Sequence, residues 1–413
     1  MKKIIFLIFL TMTSVKGISS QENIYTADYI VFWETMRDNY GYFDQKRTNW
    51  DKVKEIYLPQ TYSIQNKPEF IKLLENAIAE LYDNHTHLLT NLSSSYRLAP
   101  SGLDIWAEWD NGKFSIKEVR QGSGAELCGL AAGMEISSIN GIPIDDAVSG
   151  VIGKSITTID AEVKNWAIRT LLAGNYETKR NIGVIINGKL REFFPDEAQD
   201  IYSYYKYDSP VEFKTVDRNF GYIKINNSLG DDGTINAFDS AMTILENTNG
   251  MIIDLRETPG GGNSTVARAI MSRFISQELP YQKHEVPGEE RVTGIKRSWV
   301  EYVSPRGNTY VKPLVVLVNH WTGSMGEGIA VGFSGLNRAK IVGTQMARLV
   351  GAKYDFRLPN TNIGVSYSAE KLYHINGLPR EDYMPDVVVV PSNPSKDAIL
   401  EKGIEILKET LRN

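Results

Sequence analysis

From about residue 210 the chain alternates short runs of β-formers with helical stretches, and that alternation confines it to a layered α/β architecture. Tyr222-Ile223-Lys224-Ile225, Met251-Ile252-Ile253-Asp254-Leu255, Leu314 to Val318, Lys340-Ile341-Val342 and Val387 to Val390 read as buried strands. Ile235 to Leu245, Thr265 to Phe274 and Gly326 to Phe333 read as the helices between them. Leu400, Ile404, Leu407 and Leu411 recur at helical spacing and give a closing helix.

The chain before this region has a different character. Residues 24–85 read as helical, with Ile30, Trp33, Met36 and Tyr40 on one face. Phe70, Leu73, Leu74, Ala77, Ile78 and Leu81 form a second apolar stripe, and Pro68 suits the first turn of that helix. The stripe runs directly into Asp83-Asn84-His85-Thr86-His87. Residues 102–195 alternate strand-like runs with turns, and Asn111-Gly112 and Asn187-Gly188 are hairpin signals. At roughly 150 residues per domain, 413 residues suggest two or three domains. We place the boundaries at 1–20, 21–98, 99–200 and 201–413.

Residues 1–20 predict a secretory signal: Lys2 and Lys3 precede the apolar run Ile4 to Leu10, and small and polar residues follow. The run is too short to span a bilayer comfortably, and no other segment approaches ~20 apolar residues. An exported protein, periplasmic or extracellular, is therefore expected. Its net charge of −5, from 45 basic and 50 acidic residues, offers no electrostatic footprint for nucleic acid. The single cysteine, Cys128, excludes an intramolecular disulfide framework and a cysteine-cluster metal site.

Three turns can carry chemistry. Pro259-Gly260-Gly261-Gly262-Asn263-Ser264 joins a buried strand to a helix, where glycines let backbone N–H groups approach a ligand. No lysine follows in the spacing of a nucleotide phosphate loop. Thr322-Gly323-Ser324-Met325-Gly326-Glu327 places Ser324 between a buried strand and a helix start, the position of an exposed nucleophile. Ser324 and Glu327 also form S-x-x-E, which by itself reads as a capping box. His85 and His87 supply a base of suitable pKa, and their i, i+2 spacing does not match a helical zinc motif. His320, four residues before Ser324, is a competing base.

Taken together, these segments resemble a known family. The run Ile252 to Arg256 with Pro259-Gly260-Gly261 resembles the IDLR-x-x-PGG motif of the C-terminal processing and tricorn-core serine peptidases. Thr322 to Glu327 matches the family's T-x-S-x-x-E, Arg338 to Gly343 resembles the strand that follows, and Pro385-Asp386-Val387 resembles its closing motif. Val119 to Ile144 resembles a PDZ domain, departing from it at Met134, where an aspartate is usual.

The resemblance implies a crotonase/ClpP-like layered α/β core with an inserted PDZ-like β domain. It implies Ser324 as nucleophile, and Gly260, Gly261 and Met325 as backbone donors of an oxyanion hole. In the tricorn-like version Asp83-Asn84-His85-Thr86 supplies the base His85, and Glu381 holds its imidazole, directly or through an intervening polar group. In the serine–lysine version the lysine's position is Leu349, with Lys353 four residues beyond. Gly102, Leu103, Asp104 and Ile105 would capture the carboxylate of a peptide or protein substrate. No cofactor or metal is implied. A binding protein for an apolar ligand or a peptide on the same fold is the alternative.

Overall fold

The buried runs lie side by side in one sheet. In this computed structural model, which describes residues 23–217, 219–390 and 396–412, the strand order is Val387–Val388, Lys340–Gly343, Leu314–Val318, Met251–Asp254, Phe220–Ile225, Val211–Val216. The first five strands are mutually parallel and the sixth is antiparallel to its neighbour. Successive residues of a strand face opposite sides. Ile253, Val316 and Val318 share one core with Phe238, Val266 and Ile329, from the helices Gly233–Leu245, Ser264–Met271 and Met325–Gly335. Ile252, Val315 and Leu317 pack on the other side against Ile399 and Leu407 of the helix Ala398–Thr410. Both faces of the central strand Leu314–Val318 are covered, which is why it is apolar throughout, whereas the edge strand Val387–Val388, expected to be buried, is half-exposed because no strand covers its outer side. The segment read as a secretory signal lies outside the described residues.

A second sheet was not foreseen. His87–Leu88, Gly364–His374, Leu279–Glu285 and Ser298–Val303 form it in that order, with Ala352–Arg357 also paired to Gly364–His374, and every pairing is antiparallel. Its strands carry charged residues, as in Tyr281-Gln282-Lys283-His284-Glu285, so they lack the apolar signature that marked the parallel sheet. The crotonase/ClpP-like expectation is therefore corrected. The core is a parallel sheet joined to an independent antiparallel sheet, because the chain between its helices builds strands of its own and recruits one from the N-terminal segment.

That recruitment positions the Asp83–His87 segment. The helices Ile24–Asn39, Trp50–Tyr57 and Lys67–Ala79 are each N-capped by an asparagine: Asn23, Asn49 and Asn66. Such caps satisfy backbone N–H groups that the first turn leaves unpaired. Phe32, Phe70 and Leu74 are fully buried, in a cluster that includes Val365 and Ala369 of the antiparallel sheet. The helices stop at Ala79, and the chain then pairs His87 with Ser366 and Leu88 with Val365.

Residues 105–193 form a third sheet, ordered Ile105–Asp110, Lys113–Val119, Glu135–Ile139, Ile182–Ile186, Lys189–Phe193, with Ile142–Pro143 also paired to Glu135–Ile139. Both Asn-Gly turns have positive φ at each residue, +50° and +82° at 111–112 and +51° and +73° at 187–188. This is the twist that two-residue hairpins require. The helix Ala161–Ala173 covers one face through Val163, Ala167 and Leu171. Trp321, Ala347 and Leu349 of the α/β region are buried in the same cluster, so the two units share a core. Trp321 Nε1 donates to the carbonyl of Leu103 at 2.6 Å, and the His320 ring stacks on Trp106 at 4.6 Å.

A buried ion network closes this unit. Arg180, 1% exposed along its side chain, donates to Asp104 at 2.5 Å, Asp196 at 2.6 Å and the carbonyl of Leu172 at 2.8 Å. Removing the cation strands buried carboxylates, a change that typically costs about 3–5 kcal/mol. Arg180→Ala is therefore expected to lower stability by that amount in urea unfolding, and an unchanged midpoint would contradict the role assigned to the network.

Candidate active site

Ser324 stands at the end of the strand Leu314–Val318, where the chain turns into the helix Met325–Gly335. Its φ is +51° with ψ −112°, a conformation that L-residues avoid and that persists only when the surroundings enforce it. Thr322 enforces part of it: its hydroxyl accepts from Asn319 N and donates to Leu255 O, both at 3.0 Å. Gly261 does the rest. A Cβ on Gly261 would fall 2.3 Å from Ser324 Cβ and 2.7 Å from its Oγ, so only glycine fits against the serine. Met325 N would lie 3.1 Å from that same Cβ, which brings Gly261, Ser324 and Met325 together.

The three expected oxyanion donors are not equivalent. Gly260 N–H donates to Asn227 Oδ1 at 2.8 Å, and Gly261 N–H donates to Thr258 O at 3.2 Å. Both are engaged within the protein. Met325 N–H is the first of its helix and points from the positive end of the helix dipole. The two glycines shape the turn, and Met325 is the donor beside Ser324.

His85 is held by backbone and by Asp83. The Asp83 carboxylate accepts from His85 N at 2.8 Å, the Thr86 hydroxyl at 2.7 Å, the Ser368 hydroxyl at 2.8 Å and the Tyr40 hydroxyl at 3.1 Å. His85 Nδ1 lies 2.9 Å from the carbonyl of Val350. A carbonyl only accepts, so Nδ1 carries the proton and Nε2 is the basic nitrogen. Burial pushes the imidazole down to about 3, helped by the nearby charge of Lys353 and opposed by the bond to Val350 and by Asp83. His85 is thus neutral across the physiological range.

Glu381 makes no direct hydrogen bond to this imidazole, because the Val350 carbonyl occupies Nδ1. Glu381 is buried, its pKa is raised by that burial, and its Oε2 has no partner among the described residues. It lines a cavity of about 350 Å³ together with Asn84, Arg169, Arg348 and Val350. A second cavity of about 380 Å³ is lined by Thr86, His87, Leu98 and Ala99. Asp83, Asn84 and Trp166 border both, and neither cavity is lined by His85 or Ser324 themselves.

The other sequence candidates lie elsewhere. His320 is stacked on Trp106 and pushed down to about 3 by burial, with Arg169 adding to the shift. Lys353 Nζ lies 3.2 Å from His87 Nε2, on the antiparallel sheet, and makes no hydrogen bond to Ser324. The turn at Gly102, Leu103, Asp104 and Ile105 is closed. Gly102 N donates to Leu98 O, Leu103 N donates to Pro100 O, Asp104 is ion-paired with Arg180, and Ile105 is paired with Val119. Among the described residues no group of His, Cys, Asp and Glu side chains is arranged to hold a metal ion.

Two features escaped the sequence. The Val350 carbonyl is backbone and has no residue signature. Glu327 looked like a helix cap, yet its carboxylate accepts from Ser324 N at 2.8 Å, Arg348 N at 2.9 Å and Leu349 N at 3.2 Å. Its place in T-x-S-x-x-E was the available signal.

Comparison with known proteins bears on the fold and the class of enzyme. Residues 219–389 match Peptidase family S41, and residues 22–79 match the tricorn protease C1 domain. A carboxyl-terminal-processing protease of Synechocystis sp. is 23% identical over 326 residues, covering 74% of this chain and 67% of that protein. The structure of mature CPAF complexed with lactacystin superposes with a TM-score of 0.61 at 16% identity, covering 94% of this chain and 97% of the other. The photosystem II D1 C-terminal processing protease superposes with a TM-score of 0.56 at 18% identity, covering 92% and 96%. The fold is thus that of the S41/tricorn peptidases, which completes the correction of the crotonase/ClpP-like expectation.

The state of His85 is open to measurement. With the imidazole neutral down to about 3, its ring carbons should show no titration between pH 5 and 8 in NMR of histidine-labelled protein. A transition near 6.5 would mean the ring is solvated and the Val350 bond broken.

Proposed function

For a chain that is a serine-type peptidase on the S41/tricorn scaffold, we propose that Ser324 attacks peptide bonds of a protein substrate with His85 as its base. The observation that carries this reading is the strained Ser324 turn, built at a helix start against a glycine that leaves room for nothing larger. His85 Nε2 takes the serine proton, and the Val350 carbonyl holds the ring as the proton is gained. The tetrahedral oxyanion forms beside Met325 N–H, where one such donor is worth about 3 kcal/mol. Loss of the leaving amine, with the proton returned from His85, gives an acyl-enzyme on Ser324. Water activated by His85 then releases the acid.

The cavity lined by Asn84, Val350 and Glu381 is assigned to part of the substrate chain. Glu381 faces that space with an unpartnered oxygen and is assigned to contacts with substrate or water there. The middle unit, read as PDZ-like, is assigned to a substrate end. Its terminal strand Lys189–Phe193 is largely exposed, and an extended peptide can add to that edge by backbone pairing. Action outside the cytoplasm rests on the charged and apolar pattern of residues 1–20.

Ser324→Ala and His85→Ala are each expected to lower cleavage of an unfolded protein such as casein by at least about 1,000-fold, with far-UV circular dichroism unchanged. A fluorophosphonate probe should label Ser324 in the parent protein. Casein cleavage by Ser324→Ala at the parent rate would refute the assignment. Lys353→Ala should retain activity within about threefold; its inactivation would favour a serine–lysine pair.

A further inference from the structure

The proposed nucleophile and base come from opposite ends of the chain, and no hydrogen bond joins them among the described residues. Their alignment must be carried by something else. The loop 346–351 touches His85 directly and reaches Ser324 through Glu327. Its Val350 carbonyl takes His85 Nδ1 at 2.9 Å, while the N–H groups of Arg348 and Leu349, immediately before it, point at Glu327. The same carboxylate takes Ser324 N–H at 2.8 Å. From the other side Arg380, 2% exposed, donates to the carbonyls of Leu349 and Gly351 at 2.8 and 2.9 Å. A buried acid therefore gathers the loop's N–H groups, and a buried guanidinium gathers its carbonyls.

Building on the function proposed above, we infer that Glu327 is a positioning residue whose ionised carboxylate ties the Ser324 turn to the loop that holds His85. A helix cap would need only the bond to Ser324 N. The two bonds to residues 348 and 349 leave the helix altogether and end just before Val350, whose carbonyl holds His85. All three donors are backbone N–H groups, so both carboxylate oxygens must act as acceptors. Protonation, or replacement by an amide, turns one oxygen into a donor facing an N–H, and the loop must move away. A shift of the order of an ångström in a reacting pair can cost about 100-fold in rate.

The electrostatics make this visible in a pH profile. Burial pushes Glu327 up to about 7, against the opposing pull of Arg380 and of the three backbone N–H groups. Arg380 is the charged group facing it; the Ser324 turn and the loop present backbone. His85 lies near 3 and cannot supply a transition near neutrality. The aligned state needs the ionised acid, so kcat should fall as pH drops through about 7 while KM changes little.

The experiment measures kcat and KM for a peptide substrate from pH 5 to 9 with the full chain, its Glu327→Gln and Glu118→Gln variants, and Ser324→Ala. Glu118 is also pushed up to about 7 by burial, but its bonds are to Asn319 and Thr344 at the junction with the middle unit. The expected result is an acid limb near 7 in the parent protein, retained in Glu118→Gln. Glu327→Gln should lose the limb, with kcat at pH 8 lowered on the order of 100-fold and KM within about threefold. A parent kcat that is flat from pH 5 to 8 overturns the inference whether or not the variant folds. So does a Glu327→Gln protein that keeps the limb or the parent kcat. Activity remaining in Ser324→Ala would instead overturn the proposed function, so the two failures are distinguishable.

Discussion

Two residues of backbone pairing hold the candidate site together. His87 pairs with Ser366 and Leu88 with Val365, and this short strand is what fastens the N-terminal segment to the edge of the antiparallel sheet. Without it the loop 83–87 would be a surface turn on a helical unit. With it, Asp83 comes within hydrogen-bonding distance of Ser368, and His85 comes under the carbonyl of Val350. A pairing this short is weak alone, since an isolated two-stranded element has little stability in water. It is supported by the burial of Phe32, Phe70 and Leu74 in the cluster that includes Val365 and Ala369 of that sheet.

The Ser324 turn depends on the same principle of borrowed support. Ser324 adopts a backbone conformation that costs of the order of 1–3 kcal/mol, and the turn alone has no means of keeping it. The restraints come from three regions: Gly261 and Thr258 from the strand-to-helix loop, Glu327 from the following helix, and Trp321 sunk into the core of the middle unit. The Trp321 indole bonds the Leu103 carbonyl and His320 stacks on Trp106, so the middle unit is part of the scaffold of the turn.

Much of this was legible in the residues. The central parallel strands and their flanking helices follow from burial on both faces, and both Asn-Gly hairpins follow from a turn type that demands positive φ; the exposure of the edge strand Val387–Val388 was not legible. The antiparallel sheet was not legible. Strands such as Leu279–Glu285 pair along an edge and carry Lys283, His284 and Glu285, so their composition resembles that of a loop. That Glu381 makes no direct bond to the imidazole was not legible for a related reason. Sequence distance to the closing strand marks a carboxylate as nearby, but it does not reveal that a backbone carbonyl has already taken the imidazole.

What the sequence determined by itself was local chemistry: a serine at a strand-to-helix turn, glycines to make room for it, a histidine in an Asp-Asn-His-Thr segment, and an acid three residues after the serine. Each is fixed by bonds and sterics within a few positions. Only the tertiary structure decided which of these groups work on one another. Val350 fixes the tautomer of His85, Glu327 reaches from a helix cap to the loop beneath the base, and Gly102 to Ile105 form a closed turn. Those outcomes depend on which donors meet which acceptors once distant segments pack, and buried donors and acceptors must be paired wherever the fold brings them.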